Sequence, residues 1–70
     1  MSWNTISPHY RDLAQQHLSE KQLRVLELRT NGHSWTQIAA DLRVGESTVR
    51  GHHRAAIHKM RTLLRKDTAA

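Results

Sequence analysis

Residues 32–59 read GHSWTQIAADLRVGESTVRGHHRAAIHK, and this stretch decides the fold. Ser34-Trp35-Thr36-Gln37 places a capping serine three positions ahead of a glutamine, so a helix of about two turns starts there. Ile38, Ala39 and Leu42 form its inward stripe, and Ala39 is the small residue required where two helices approach closely. Trp35, in the first turn, is read as a lid on the core in preference to a neighbour of a phosphate backbone. A further helix is predicted to start near Glu46, after Val44 has turned its side chain inward. Two helices across a tight turn, the second opening on small polar side chains, is the arrangement by which a helix-turn-helix offers groups to base edges.

That last helix continues well past the motif. Val49, His52, His53, Ala56, Ile57, Met60, Leu63 and Leu64 follow helical spacing to about Arg65 or Lys66, a rise of ~30 Å at about 1.5 Å per residue. The stripe formed by Met60, Leu63 and Leu64 exceeds what the motif core can cover. It is expected to make a dimer contact, with packing inside the chain against Trp3, Ile6 and Leu13 as the alternative.

Upstream, Leu18-Ser19-Glu20-Lys21-Gln22-Leu23 combines a capping box with an apolar staple and predicts a helix to about Thr30. Leu23, Val25, Leu26 and Leu28 give it a broad apolar face, and Asn31-Gly32 supplies the left-handed stop. Ser7-Pro8 predicts an earlier helix over 8–16, with Leu13 and Tyr10 inward. The expected fold is all-α: one four-helix domain over 1–70, with an N-terminal arm at 1–6, a frayed tail at 67–70, and helices 3 and 4 as the helix-turn-helix. Trp3 and Ile6 in the arm are expected to pack on the domain.

Charge is segregated along the chain. In residues 1–42, Arg11, Lys21, Arg24 and Arg29 are balanced by Asp12, Glu20, Glu27 and Asp41, so the formal net charge of +5 falls on residues 43–70. With a sequence pI near 10.8, this one-sided basicity is the footprint of a polyanion-binding surface. Seventy residues allow one small core, near the lower limit for folding without a metal, disulfide or partner. The absence of cysteine excludes disulfides and thiolate metal sites and fits a reducing cytoplasm. No apolar run approaches the ~20 residues of a membrane span, and the chain reads as cytosolic and complete. None of the six histidines pairs with another at the i, i+4 spacing that would place two ligands on one helix face, so no metal is expected. A glycine-rich phosphate loop and a cysteine nucleophile are both missing, and the acidic residues are scattered. The chain is expected not to be an enzyme and to need no cofactor.

Residues 18–64 resemble two related helix-turn-helix groups, the LuxR-type response domains and the fourth conserved region of sigma factors. Leu18-Ser19-Glu20-Lys21-Gln22, Val25-Leu26 and Leu28-Arg29 are similar to the sigma-type second helix. Gly32, Ser34, Ile38-Ala39, Leu42, Val44, Thr48-Val49, His52 and Lys59 follow the LuxR-type pattern. Two positions depart from both. Arg43 stands where these groups usually carry glycine, which implies either a left-handed arginine, at a cost of order ~1 kcal/mol, or a different turn. Arg24 stands where they usually carry glutamate, which takes an acidic partner away from the second helix.

A recognition helix enters the major groove by its first turns, which makes Glu46, Ser47, Arg50, Gly51 and Arg54 the expected base-reading residues. Arg50 is placed opposite Ala39 and Ile57 as the main bidentate donor to guanine. Glu46 could accept from a cytosine amino group or simply compensate the helix dipole. Thr48, His58 and Lys59 are expected at phosphates, joined by Ser34, Thr36 and Gln37 from the preceding helix, while Arg61, Arg65 and Lys66 add diffuse attraction.

The leading expectation is a transcription regulator, a homodimeric repressor on a short inverted repeat of double-stranded DNA, of the kind frequent in phages and mobile elements. A DNA-recognition subunit of packaging or recombination machinery is a second class. A sigma-region-four mimic binding RNA polymerase or another regulator is a third.

Overall fold

Residues 2–68 are described in the computed structural model, the side chains at 67 and 68 excepted. A single 3-10 turn, Trp3–Thr5, leads into α1 (Pro8–His17), α2 (Glu20–Thr30), α3 (Trp35–Leu42) and α4 (Glu46–Thr68), with no strand among the described residues. The fold is all-α, as expected. Its boundaries follow local chemistry. Ser19 and Ser34 each accept from the amide three residues on, and Gln22 and Gln37 reach back to the serine amides, so both capping boxes are closed. Pro8 opens α1 at a position where its missing N–H has no intrahelical partner to lose. Gly32, at φ +96°, ends α2 in a conformation that a side chain would strain.

The α3–α4 turn resolves the question posed by Arg43, which stands in the left-handed region at φ 58° and ψ 44°. Its amide donates to the carbonyl of Ala39, and so does the amide of Val44 at 3.1 Å. The turn thus keeps the left-handed geometry without glycine, at a cost of order ~1 kcal/mol. Arg24 also finds an acidic partner outside its own helix. Its Nη2 lies 3.4 Å from Asp41 Oδ2 and ties α2 to α3 across an exposed gap.

Two apolar clusters share α4. One gathers Val25, Leu28, Ile38, Ala39 and Val49 beneath Trp35, Leu42 and Val44, and it holds the helix-turn-helix together. The other joins Trp3, Ala14, Leu18, Leu26, Ala56 and Met60, with Ile6, Tyr10, Leu13, Leu23, Ile57 and Leu63 against it. The N-terminal segment is therefore docked rather than a free arm. The Trp3 amide donates to Asn31 Oδ1 at 2.7 Å, and the indole meets Tyr10 edge to face at 6.3 Å.

The dimer contact expected of Met60, Leu63 and Leu64 is corrected at its centre. Met60 is 1% exposed inside the second cluster, Leu63 packs against that cluster, and Leu64 is half-buried. Met60 and Leu63 are thus covered from within the chain, by α1, α2 and the Trp3 turn. Helix α4 is also longer than predicted: residues 67 and 68 are helical, which leaves only 69 and 70 of the expected tail, outside the described residues.

Met60→Ala should cost about 2–5 kcal/mol of unfolding free energy, the range for emptying a buried site of this size. Urea denaturation should give the same loss in dilute and concentrated protein, because the contact is intrachain. A loss that grows with protein concentration would return Met60 to an interface between copies.

Candidate nucleic-acid interface

Helix α4 packs on α2, α3 and α1, and its remaining surface is open. At about 100° per residue, Ser47, Gly51, Arg54 and His58 fall on one exposed side, directed away from the buried line of Val49, Ala56 and Met60. Gly51 is informative here. A methyl group built on it meets nothing within 4 Å, so no contact within the chain requires glycine in the middle of this helix.

One flank of this surface runs beside the start of α3. Trp35, Arg50, His53, Arg54, Ile57 and Arg61 line one shallow groove there. The expectation that Arg50 lies opposite Ile57 is therefore corrected: the two are seven residues apart, close to two full turns, and share this flank. The guanidinium of Arg50 stands 5.6 Å from the centre of the Trp35 ring. Arg61, expected to contribute only diffuse attraction, lies in the same groove.

The other flank carries Thr48 and Lys59, also close to whole turns apart. Lys59 does not stand with Arg50 and Arg54. Its ammonium donates to the carbonyl oxygen of His17 at 2.8 Å and so caps the last turn of α1. As the chain stands, that bond gives Lys59 a role in joining α1 to α4.

The residues expected at phosphates from α3 are mutually engaged. Ser34 and Gln37 serve each other in the capping box. The hydroxyl of Thr36 donates to Glu46 Oε2 at 3.3 Å, which links the first turns of α3 and α4. Glu46 is thus held across the motif as well as sitting at the positive end of its own helix.

Trp35 covers the first cluster as a lid, and its rim carries polar work besides. His53 meets it edge to face at 5.2 Å, and the Arg29 guanidinium lies 4.2 Å from its centre. Arg29 was not a site candidate in the sequence, where it closes the second helix. The available signal was its position just ahead of the Gly32 stop, which folds the end of α2 back onto the aromatic that opens α3. Burial, reinforced by the positive charge of Arg29, holds the His53 imidazole below its ordinary pKa of 6.5.

Helices α3 and α4, with a cationic open face on the second, define a helix-turn-helix DNA-binding unit. Residues 16–69 match the family model described as bacterial regulatory proteins, luxR family, and the chain belongs to that family. No curated protein and no solved structure matches it. Among the described residues, no helix is long and apolar enough to cross a membrane.

His53 should make stability pH-dependent in a defined direction. Its folded pKa is depressed, so the unfolded chain binds the proton more readily and stability falls as pH drops below 6.5, levelling off beneath the folded value. Between pH ~7.5 and ~5.5 the parent should lose more stability than His53→Gln, measured by urea midpoint. Parallel losses in the two proteins would exclude this histidine as the source.

Proposed function

We propose that the chain is a sequence-specific transcription regulator of the bacterial cytoplasm, without a catalytic step, that represses by occupying a short inverted repeat as a homodimer. The observation that carries this is the uncovered side of α4, where Ser47, Gly51, Arg54 and His58 stand exposed between cationic flanks. The first turns of α4 enter the major groove. Ser47 and Gly51 keep the helix close to the base edges, and Arg54 is long enough to bond guanine O6 and N7.

One module of this size buries roughly 600–1,000 Å² on DNA, which limits its affinity. Two copies on adjacent half-sites double the contact. Since Met60 and Leu63 are taken into the intrachain core, pairing in this proposal is driven by neighbouring half-sites on the duplex. Repression then follows from occupancy alone, as the bound pair denies polymerase an overlapping promoter.

Selection of bound sequences from a random duplex pool should enrich a palindrome, and binding to it should weaken with salt at a log–log slope of about −0.9 for each phosphate neutralised. Enrichment of no motif, together with salt-independent affinity, would sink the proposal.

Gly51→Ala separates fold from function. Alanine should raise unfolding free energy by about 1 kcal/mol, because glycine is the poorer helix former. The same variant should bind the selected palindrome more weakly, since the added methyl faces the groove. Unchanged affinity would move the DNA off this side of α4.

A further inference from the structure

Two guanidiniums that the fold leaves without a carboxylate partner converge on Trp35. Arg29, from the last turn of α2, and Arg50, from the second turn of α4, bring guanidinium carbons to 4.2 and 5.6 Å from the centre of one indole. A cation is attracted to such a ring, but two cations sharing it repel each other. Among the described residues, neither guanidinium has a carboxylate at ion-pair distance. Glu46, one turn before Arg50, is held by the Thr36 hydroxyl.

Arg29 and the indole are both held in place. Arg29 Nη1 donates to the carbonyl of His33 at 2.9 Å, which holds its side chain against the loop entering α3. Trp35 is packed on the helix-turn-helix core and cannot swing away without opening it. The first turn of α3 opens at the same place. Its capping box engages the amides of Ser34 and Gln37, leaving those of Trp35 and Thr36 as the remaining donors of that turn. His53, on the edge of the same ring, feels the Arg29 charge.

We propose that Arg29, Arg50 and the first turn of α3 form a seat for one phosphodiester of the DNA backbone, with Trp35 as the positioning residue that keeps the two guanidiniums together. The inference rests on the DNA-binding function proposed above and deepens it. A planar guanidinium bonds phosphate oxygens in pairs, and a phosphate between two of them removes the repulsion that the free chain carries. Arg50 then sets the register of α4 on the duplex, base reading falls to Ser47 and Arg54, and Gly51 lets the helix come close to the base edges.

Gel-shift titrations of the full chain test this, using the selected palindrome and a shuffled duplex at several salt concentrations. Arg29→Ala and Arg50→Ala should each weaken both duplexes by the same factor, roughly tenfold, and lower the magnitude of the salt slope by up to about 0.9. Because the seat is shared, the double variant should lose less than the product of the single losses. Trp35→Phe should retain most binding. Trp35→Leu should weaken binding in the parent and leave the Arg29→Ala/Arg50→Ala protein unchanged.

If Arg50→Ala instead relaxes preference at one base pair and keeps the salt slope, Arg50 reads a base and the seat is wrong. Arg29→Ala without effect on either duplex is equally decisive against it. Arg29 and Arg50 are exposed, so these two variants give an answer even if Trp35→Leu fails to fold. Binding of neither duplex by the parent would overturn the DNA-binding function itself, an outcome distinct from failure of the seat.

Discussion

Helix α4 has to serve two cores at once. Val49 is fully buried among α2 and α3 residues, while Ala56 and Met60 are buried about two and three turns further on among residues of α1, α2 and the Trp3 turn. A chain of this length cannot bury enough surface in either cluster alone, so the helix that meets the ligand is also the spine on which both clusters close. Its buried line fixes the rotation of α4, and that rotation decides which side chains remain on the outside. The open side is a consequence of packing, set by Val49, Ala56 and Met60 before any ligand is considered.

The same constraint sorts the cations. Lys59 and Arg54 have the same charge and lie five residues apart on one helix, yet they face different surroundings. Lys59 closes the end of α1. Arg54 stands in the open groove. Arg24 is paired with Asp41, whereas Arg29, a few residues later on α2, lies over an indole. Residue type supplies the charge, and the helix rotation set by the buried line determines what it can act on.

The helices were legible because their signals are local. Two capping boxes, Pro8 and Gly32 each act within a few residues of themselves, and the apolar spacing on α2, α3 and α4 names most of the core. Met60 was misplaced for a non-local reason. Its partners Trp3, Ala14 and Leu18 lie more than forty residues away in sequence, and the apolar stripe does not reveal whether an intrachain segment or another copy covers it. Arg29 escaped for a similar reason, since its position over Trp35 depends on how the turn at Gly32 folds α2 back. The left-handed turn at Arg43 was open in the sequence between two geometries, and only backbone angles decide it.

The two tryptophans divide the molecule between them. Trp3 sits in the cluster built from the N-terminal turn, α1 and the end of α4, and Trp35 sits over the cluster of the helix-turn-helix, against the cationic groove. With no other tryptophan in the chain, each indole is an intrinsic fluorophore assigned to one half. A pair of single-tryptophan proteins would therefore reveal whether the halves melt as one cooperative unit or in sequence. It would also register a ligand's arrival from the Trp35 side alone, with Trp3 as an internal silent reference.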